Sequence, residues 1–206
     1  MHPMAGTKQF DEEQVLERAL ECFWRHGYGA TSMQDLAQAT GVLRGSLYHA
    51  YGDKRAIFLK VYERYRARFL DKVREAMAGA TAEEALRRYF VFAVGTIVMS
   101  DPDHDATRGC LTTKTATDET AMDESIRQAL RLLLDGVRAL IEERLSRPDA
   151  QGQLALPPAA ATALIVTATR GMVVMERIYR DRDQLQTVGE DLLRLLVPGA
   201  VPTGAR

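Results

Sequence analysis

The sequence is poor in the residues from which covalent and metal staples are made. Among 206 residues there are two cysteines, Cys22 and Cys110, and four histidines. Two cysteines cannot make a disulfide framework or a cysteine zinc site. His104 lies between Asp103 and Asp105, but that spacing suits no shared face and no further ligand cluster accompanies it. A glycine-rich phosphate loop, a nucleophile elbow and paired metal-ligand motifs are all missing, so neither an enzyme nor a cofactor is expected. No apolar run approaches the ~20 residues that cross a bilayer. The N-terminal stretch MHPMAGTKQFDEE lacks the basic-then-apolar order of a secretory leader. A cytoplasmic chain with no membrane partner is the expectation. Charge of one sign is also lacking. The net charge of −1 counts against a non-specific coat for nucleic acid. Strand-like alternation, internal repeats and low-complexity segments do not occur.

What is present is helical periodicity, with 46% hydrophobic and 27% charged residues, enough for one large domain or two small ones. The most informative stretch is Thr31 to Lys54, TSMQDLAQATGVLRGSLYHAYGDK. Leu36, Ala37 and Ala39 give a first short helix its apolar face. Gly41-Val42 makes a turn, because glycine accepts positive φ. Leu43 to Tyr51 forms a second helix, with Leu47 inward and Arg44, Ser46, Tyr48 and His49 outward. A helix-turn-helix has this layout, and its second helix enters the DNA major groove. From Gly41 to Arg68 seven basic residues accompany two acidic ones, a local charge of +5. Alone, such a cluster is either a phosphate-contacting patch or a solvated helix face; beside the helix-turn-helix pattern it favours phosphate contact.

The flanking segments read as further helices. Asp11 is an N-cap, Gln14 completes a capping box, and Phe10 with Val15 suits a hydrophobic staple. Val15, Ala19, Cys22 and Phe23 line one face, and Gly27 ends the helix. Cys22 reads as a small core residue. Thr31 or Ser32 caps the next helix. Asp53 opens a long one, running through Ile57, Phe58, Val61, Tyr62, Tyr65 and Phe69 to about Met77. Lys54 and Arg55 in its first turn oppose the helix dipole. Either a phosphate sits at this helix start, held in part by the Lys54 ammonium, or both side chains point into water. Thr81 to Glu84 is another capping box. Arg108 to Thr120 is a short threonine-rich helix, and Ala121 to Ser146 a longer amphipathic one. The eighth predicted helix, about Ala159 to Met175, is apolar or small on nearly every side. It must therefore bury itself against a partner chain as well as its own core. A ninth spans about Gln184 to Val197.

The patterns ALECFWRHGYGATSM, DLAQATGV and RGSLYHAYGDKRAIF, between Phe10 and Tyr65, resemble the TetR family of bacterial one-component transcriptional regulators. The resemblance implies an all-α fold. A three-helix DNA-binding domain at residues 1–53 would precede a ligand-binding and dimerisation domain at 54–198, with a disordered tail at 199–206. It implies a homodimer through the eighth and ninth helices on a palindromic double-stranded DNA operator. It further implies a repressor released by a small-molecule inducer; a constitutive or architectural DNA-binding dimer is the alternative. Carried over residue by residue, Arg44 is the best base reader. Gly45 allows close approach, and Ser46, Tyr48 and His49 match positions that touch bases or phosphates. Lys54 matches a phosphate-binding lysine, and Thr31, Ser32 and Gln34 would contact the DNA backbone. An aromatic pair common in the family is replaced by Ala50-Tyr51. Tyr51 is expected to pack.

For sensing, two readings stand side by side. Cys110 follows Arg108-Gly109 at a helix start, where positive charge favours a thiolate. Similar Arg-Gly-Cys-Leu stretches in the family sense electrophiles or oxidants, though packing is an ordinary role for a buried thiol. The other reading is a non-covalent pocket lined by Tyr89, Phe90, Thr113, Met172 and Met175. Arg170 would hold an acidic group there, or else pair across the dimer with Glu176.

Overall fold

The computed structural model describes residues 11–100, 107–119 and 123–200. It is all-α, as expected. The helices are α1 (Glu12–His26), α2 (Met33–Thr40), α3 (Arg44–Tyr51), α4 (Lys54–Ala76), α5 (Ala82–Ile97), α6 (Leu111–Ala116), α7 (Glu124–Leu145), α8 (Pro158–Tyr179) and α9 (Arg182–Leu196). An isolated antiparallel bridge joins Ser100 to Thr107. The Phe10 staple, the aspartates around His104 and most of the C-terminal tail fall outside the described residues.

The N-terminal unit is built as its caps dictate. The Asp11 carboxylate accepts from the amides of Glu13 and Gln14. Ser32, not Thr31, caps α2. Its hydroxyl accepts from the Asp35 amide, and the Asp35 carboxylate accepts from the Ser32 amide in return. Gly41 ends α2 in the left-handed region, φ +72°, and so turns the chain into α3. Beneath these helices Phe23, Tyr28, Phe58 and Tyr62 form a buried aromatic stack. Phe58 meets Phe23 edge-on at 5.2 Å between centroids and Tyr28 at 5.1 Å. This stack continues along α4 through Tyr65 and Phe69, so α4 belongs to both halves of the molecule.

The larger half packs α5 on α9, and α7 on α4 and α8. Gly189 permits the α5–α9 approach: a Cβ there would lie 3.2 Å from the Phe90 Cβ. Helix α8 corrects one expectation. Its 22 residues, with a mean hydropathy of 1.4 over the most apolar window, are long and apolar enough to cross a membrane. One face instead packs inside the bundle through Ala161, Ile165, Thr169, Met172 and Val173. The opposite face, with Leu164 and Met175 exposed, is the apolar surface left without a partner.

Candidate functional site

Helix α3 presents its side chains much as the pattern requires. Leu47 and Tyr51 are buried and anchor it, while Arg44, Gly45, Ser46, Tyr48 and His49 are exposed. The Arg44 guanidinium lies 5.5 Å from the Tyr48 ring and donates to its hydroxyl at 3.4 Å. The two side chains thus form one outward-facing unit. Ser32 is exposed on the α2 side of the turn, and so is Gln34. Leu43 was missed by the sequence reading. It is the N-cap of α3, offers no side-chain hydrogen bond, and is 80% exposed.

Three expectations change. Thr31 is 1% exposed, and its hydroxyl donates to the Gly27 carbonyl at 2.6 Å. It closes the α1–α2 turn, and its hydroxyl is committed to that carbonyl. The Lys54 ammonium turns inward. It donates to the carbonyls of Tyr28 at 2.9 Å and Gly29 at 3.3 Å and lies 4.4 Å from the Tyr28 ring centroid. Partial burial there lowers its pKa. The cluster of +5 is also partly neutralised. Lys60 pairs with Glu12, Arg68 with Glu17, and Arg55 with Asp53 and Asp123. The outward cation on the recognition helix is Arg44.

The α1–α2 turn that Lys54 grips from one side is gripped from the other by α6 and the residues before it. The Trp24 indole donates to the carbonyls of Arg108 and Gly109, at 3.2 and 3.0 Å. Arg108 lies over the Trp24 ring and pairs with Glu21. Lys114 donates to the carbonyls of Trp24 and Arg25, capping the C-terminal end of α1. The Gly29 amide donates to Asp118 at 2.6 Å. These contacts span 84 to 90 residues of sequence, so no local pattern could have announced them.

Cys110 is the N-cap of α6, reached through Gly109 at φ +63°. The thiol is 5% exposed, and Arg170 donates to its Sγ at 3.2 Å. Burial raises the thiol pKa, but the Arg170 charge and the Thr113 amide outweigh it, and the net shift is downward. Among the described residues Arg170 has no carboxylate partner, and its buried Nε has no hydrogen bond. A guanidinium so enclosed favours a counter-charge, and the Cys110 sulfur is the group beside it. Glu176 is buried and accepts instead from the Thr107 hydroxyl at 2.6 Å.

The residues of the predicted non-covalent pocket do not line one cleft in this structure. Tyr89 and Phe90 fill the core, and Met172 packs with Val94, Ile97, Cys110, Val173 and Leu185. Met175 points outward, because the turn of α8 that buries Met172 and Val173 exposes it. Thr113 alone of that set, together with Cys110, borders an open cleft of about 690 Å³ between α1, α6 and the C-terminal turns of α8.

Comparison with known proteins agrees with this geometry. Residues 15–61 match the family model of bacterial regulatory proteins of the tetR family, and residues 84–191 match the tetracyclin repressor-like C-terminal domain. The chain is 28% identical to the uncharacterized regulator YezE of Bacillus subtilis over 89% of this chain and 94% of that one. It is 28% identical to the transcriptional repressor ComR of Escherichia coli, covering 91% and 90%. Among solved structures, a cysteine mutant of the TetR-family regulator CifR, complexed with 26-base-pair operator DNA, superposes with a TM-score of 0.79. Its identity is 27%, over 91% of this chain and 98% of that one. Reduced NemR of E. coli shares the fold at 20% identity, with a TM-score of 0.80 and coverage of 92% and 98%. Helix-turn-helix, bundle and both family models converge: the chain belongs to the TetR family of DNA-binding transcriptional regulators.

Proposed function

We propose that this regulator is a homodimeric repressor, released from a palindromic operator when an electrophile modifies Cys110. The observation that carries the reading is the buried Arg170 guanidinium, 3.2 Å from the Cys110 sulfur and with no described carboxylate to balance it. A thiolate is the nucleophilic form of cysteine. It would add through Sγ to the β-carbon of an α,β-unsaturated carbonyl compound. A sulfur–carbon bond forms, the carbon–carbon π pair becomes the bond between the α-carbon and the carbonyl carbon as the carbonyl π pair moves to oxygen, and water then protonates the α-carbon of this enolate, restoring the carbonyl and leaving hydroxide. The cleft beside α6 gives such a molecule a route to the sulfur.

The consequence follows from what surrounds the thiol. An adduct adds volume in a close-packed site and removes the anion that Arg170 faces. The segment from Arg108 to Lys114 must then move, and Trp24 and the last carbonyls of α1 are bonded to it. Helix α1 carries the helix-turn-helix. Its reorientation changes the separation of two recognition helices, which must lie about one helical turn of DNA apart. The dimer seam is the exposed small and apolar face of α8, with Leu164, Gly171 and Met175, together with Val188 and Leu195 of α9. On DNA, Arg44 reads bases, with Gly45, Ser46, Tyr48 and His49 beside it and Ser32 and Gln34 on the phosphates. The names ComR, a repressor, and CifR, bound to operator DNA, agree with this role.

N-ethylmaleimide should release the parent protein from its operator and spare Cys110→Ser. Equal release of both excludes the thiol. The alkylation rate of Cys110 should also titrate below the ordinary thiol value, and Arg170→Met should move that midpoint up. An unmoved midpoint removes the arginine from the mechanism.

A further inference from the structure

We infer that Arg55 is a phosphate contact that the larger half of the molecule withholds: Asp123 holds its guanidinium in the free protein, and DNA must displace that carboxylate to take it. Arg55 stands in the first turn of α4, just past the Tyr51 anchor of α3. Gly52, at φ +90°, turns the chain between the two helices. With α3 in a major groove, the chain leaving it passes over the groove's edge, where the phosphates lie.

The partners of Arg55 set it apart from the cations around it. Lys54 turns inward to the carbonyls of Tyr28 and Gly29. Lys60 and Arg68 pair with carboxylates of α1, within the DNA-binding half. Arg55 instead reaches the larger half, with its guanidinium 3.6 Å from the Asp123 Oδ2. Its other partner, Asp53, stands 3.8 Å away and gives its second oxygen to the Ala56 amide as the cap of α4. Asp123 is likewise a cap, of α7: its Oδ1 accepts from the Ser125 hydroxyl and the Ile126 amide, and Oδ2 is the oxygen that faces Arg55. Asp118, on the same connection between α6 and α7, accepts from the Gly29 amide at 2.6 Å. The connection thus brings two carboxylates against the DNA-binding half, close to the path of an incoming phosphate.

The Arg55–Asp123 pair is one that can be exchanged. The side chains are 50% and 39% exposed, and an ion pair in water stabilises little. A phosphate offers the same guanidinium a matching pair of acceptors and releases counterions when it is neutralised. The carboxylate left behind opposes the exchange, so DNA affinity depends on where the α6–α7 connection sits. The inference rests on DNA binding alone and not on the chemistry of Cys110.

The test uses the reduced full-length protein and a duplex that the parent selects from a random pool. Asp123→Asn removes the charge and keeps the α7 cap, a role asparagine fills as well as aspartate. It should tighten the duplex about threefold and steepen the fall of log affinity with log salt. Adding Arg55→Gln to that variant should lower the slope by about 0.9, the share of one phosphate, and weaken selected and unselected duplexes alike. In the Arg55→Gln background, Asp123→Asn should gain nothing. A gain of the same size there would make Asp123 a distant repelling charge and overturn the inference. No gain in the parent background, or a slope indifferent to Arg55, would overturn it too.

Discussion

Helices α3 and α6 are both short, and they are built in opposite ways. Neither is long enough to persist alone in water, where even good helix formers need about 12–15 residues. Helix α3 is held by two buried anchors, Leu47 and Tyr51, and leaves its other side chains in solvent. Helix α6 buries Leu111, Thr112 and Thr115, and its polar groups reach other elements. Thr112 exchanges a hydrogen bond with the Tyr62 hydroxyl at 2.8 Å, and Lys114 caps α1. The contrast separates two jobs. A helix that must meet DNA is fixed from beneath, with its surface left open. A helix that would transmit a displacement under the proposed function is bonded to the elements around it.

The strongest way to break this contrast is to remove the anchor of α3. Leu47 is 0% exposed, so Leu47→Ala deletes a fully buried side chain and should cost about 2–5 kcal/mol. Because α3 has no other large buried aliphatic group, operator binding should be lost before the bundle melts. Two separate thermal transitions, or a sharp loss of binding with the helical signal largely kept, would be the signature. A single transition with binding retained to the melt would mean that α3 is not held as described.

Next in size is the cap that α6 places on α1. Lys114→Met keeps the aliphatic stem and removes the ammonium from the carbonyls of Trp24 and Arg25. Two charge-assisted bonds are lost from a partly buried site, for about 1–3 kcal/mol. Hydrogen exchange should quicken in the last turn of α1 and in the turn after it, with α9 unaffected. If exchange rises uniformly, the joint is not local and the route from Cys110 to the helix-turn-helix fails.

How much of each helix could be read from the chain follows from the same difference. The position of α3 was legible because its signals are local: Gly41 in the turn, Leu47 at helical spacing, Asp53 as the next cap. The outward set from Arg44 to His49 was legible for the same reason, and the family patterns reinforced it. The joint at α6 was not. Its residues could be placed on a helix, but Trp24, Arg108, Lys114 and Asp118 acquire their roles only from partners some 90 residues away. The surroundings of Lys54 were illegible on similar grounds. A lysine in the first turn of a helix opposes the dipole, which suggested a phosphate; the carbonyls of Tyr28 and Gly29 satisfy it instead. Cys110 was singled out by its neighbours in sequence, yet the residue that sets its chemistry, Arg170, stands 60 positions on.

Lys54 and Arg44 can be told apart by salt. Arg44→Ala should reduce discrimination between operator and altered operator by about 1–3 kcal/mol, as for one base-reading arginine. A lysine on a phosphate contributes about 0.9 to the slope of log affinity against log salt. Lys54→Met should instead lower the melting temperature and leave that slope unchanged, because its ammonium is committed to the turn. A slope reduced by about 0.9 would show that the ammonium leaves those carbonyls for DNA.

The smallest effect tests whether the exposed end of α3 is shaped for its ligand. Leu43 occupies an N-cap, where serine would accept a hydrogen bond from the helix and a leucine cannot. An 80% exposed leucine also gains nothing from burial in the free protein. Leu43→Ser should therefore stabilise the protein by about 1 kcal/mol. If the side chain is kept for an apolar contact in the major groove, such as a thymine methyl, the stabilised variant should bind the operator more weakly than the parent. The loss should fall on one base step and vanish when that thymine is replaced by uracil. A variant both more stable and equally tight on DNA would leave Leu43 without a role, and would confine base reading to the Arg44–Tyr48 unit and its neighbours.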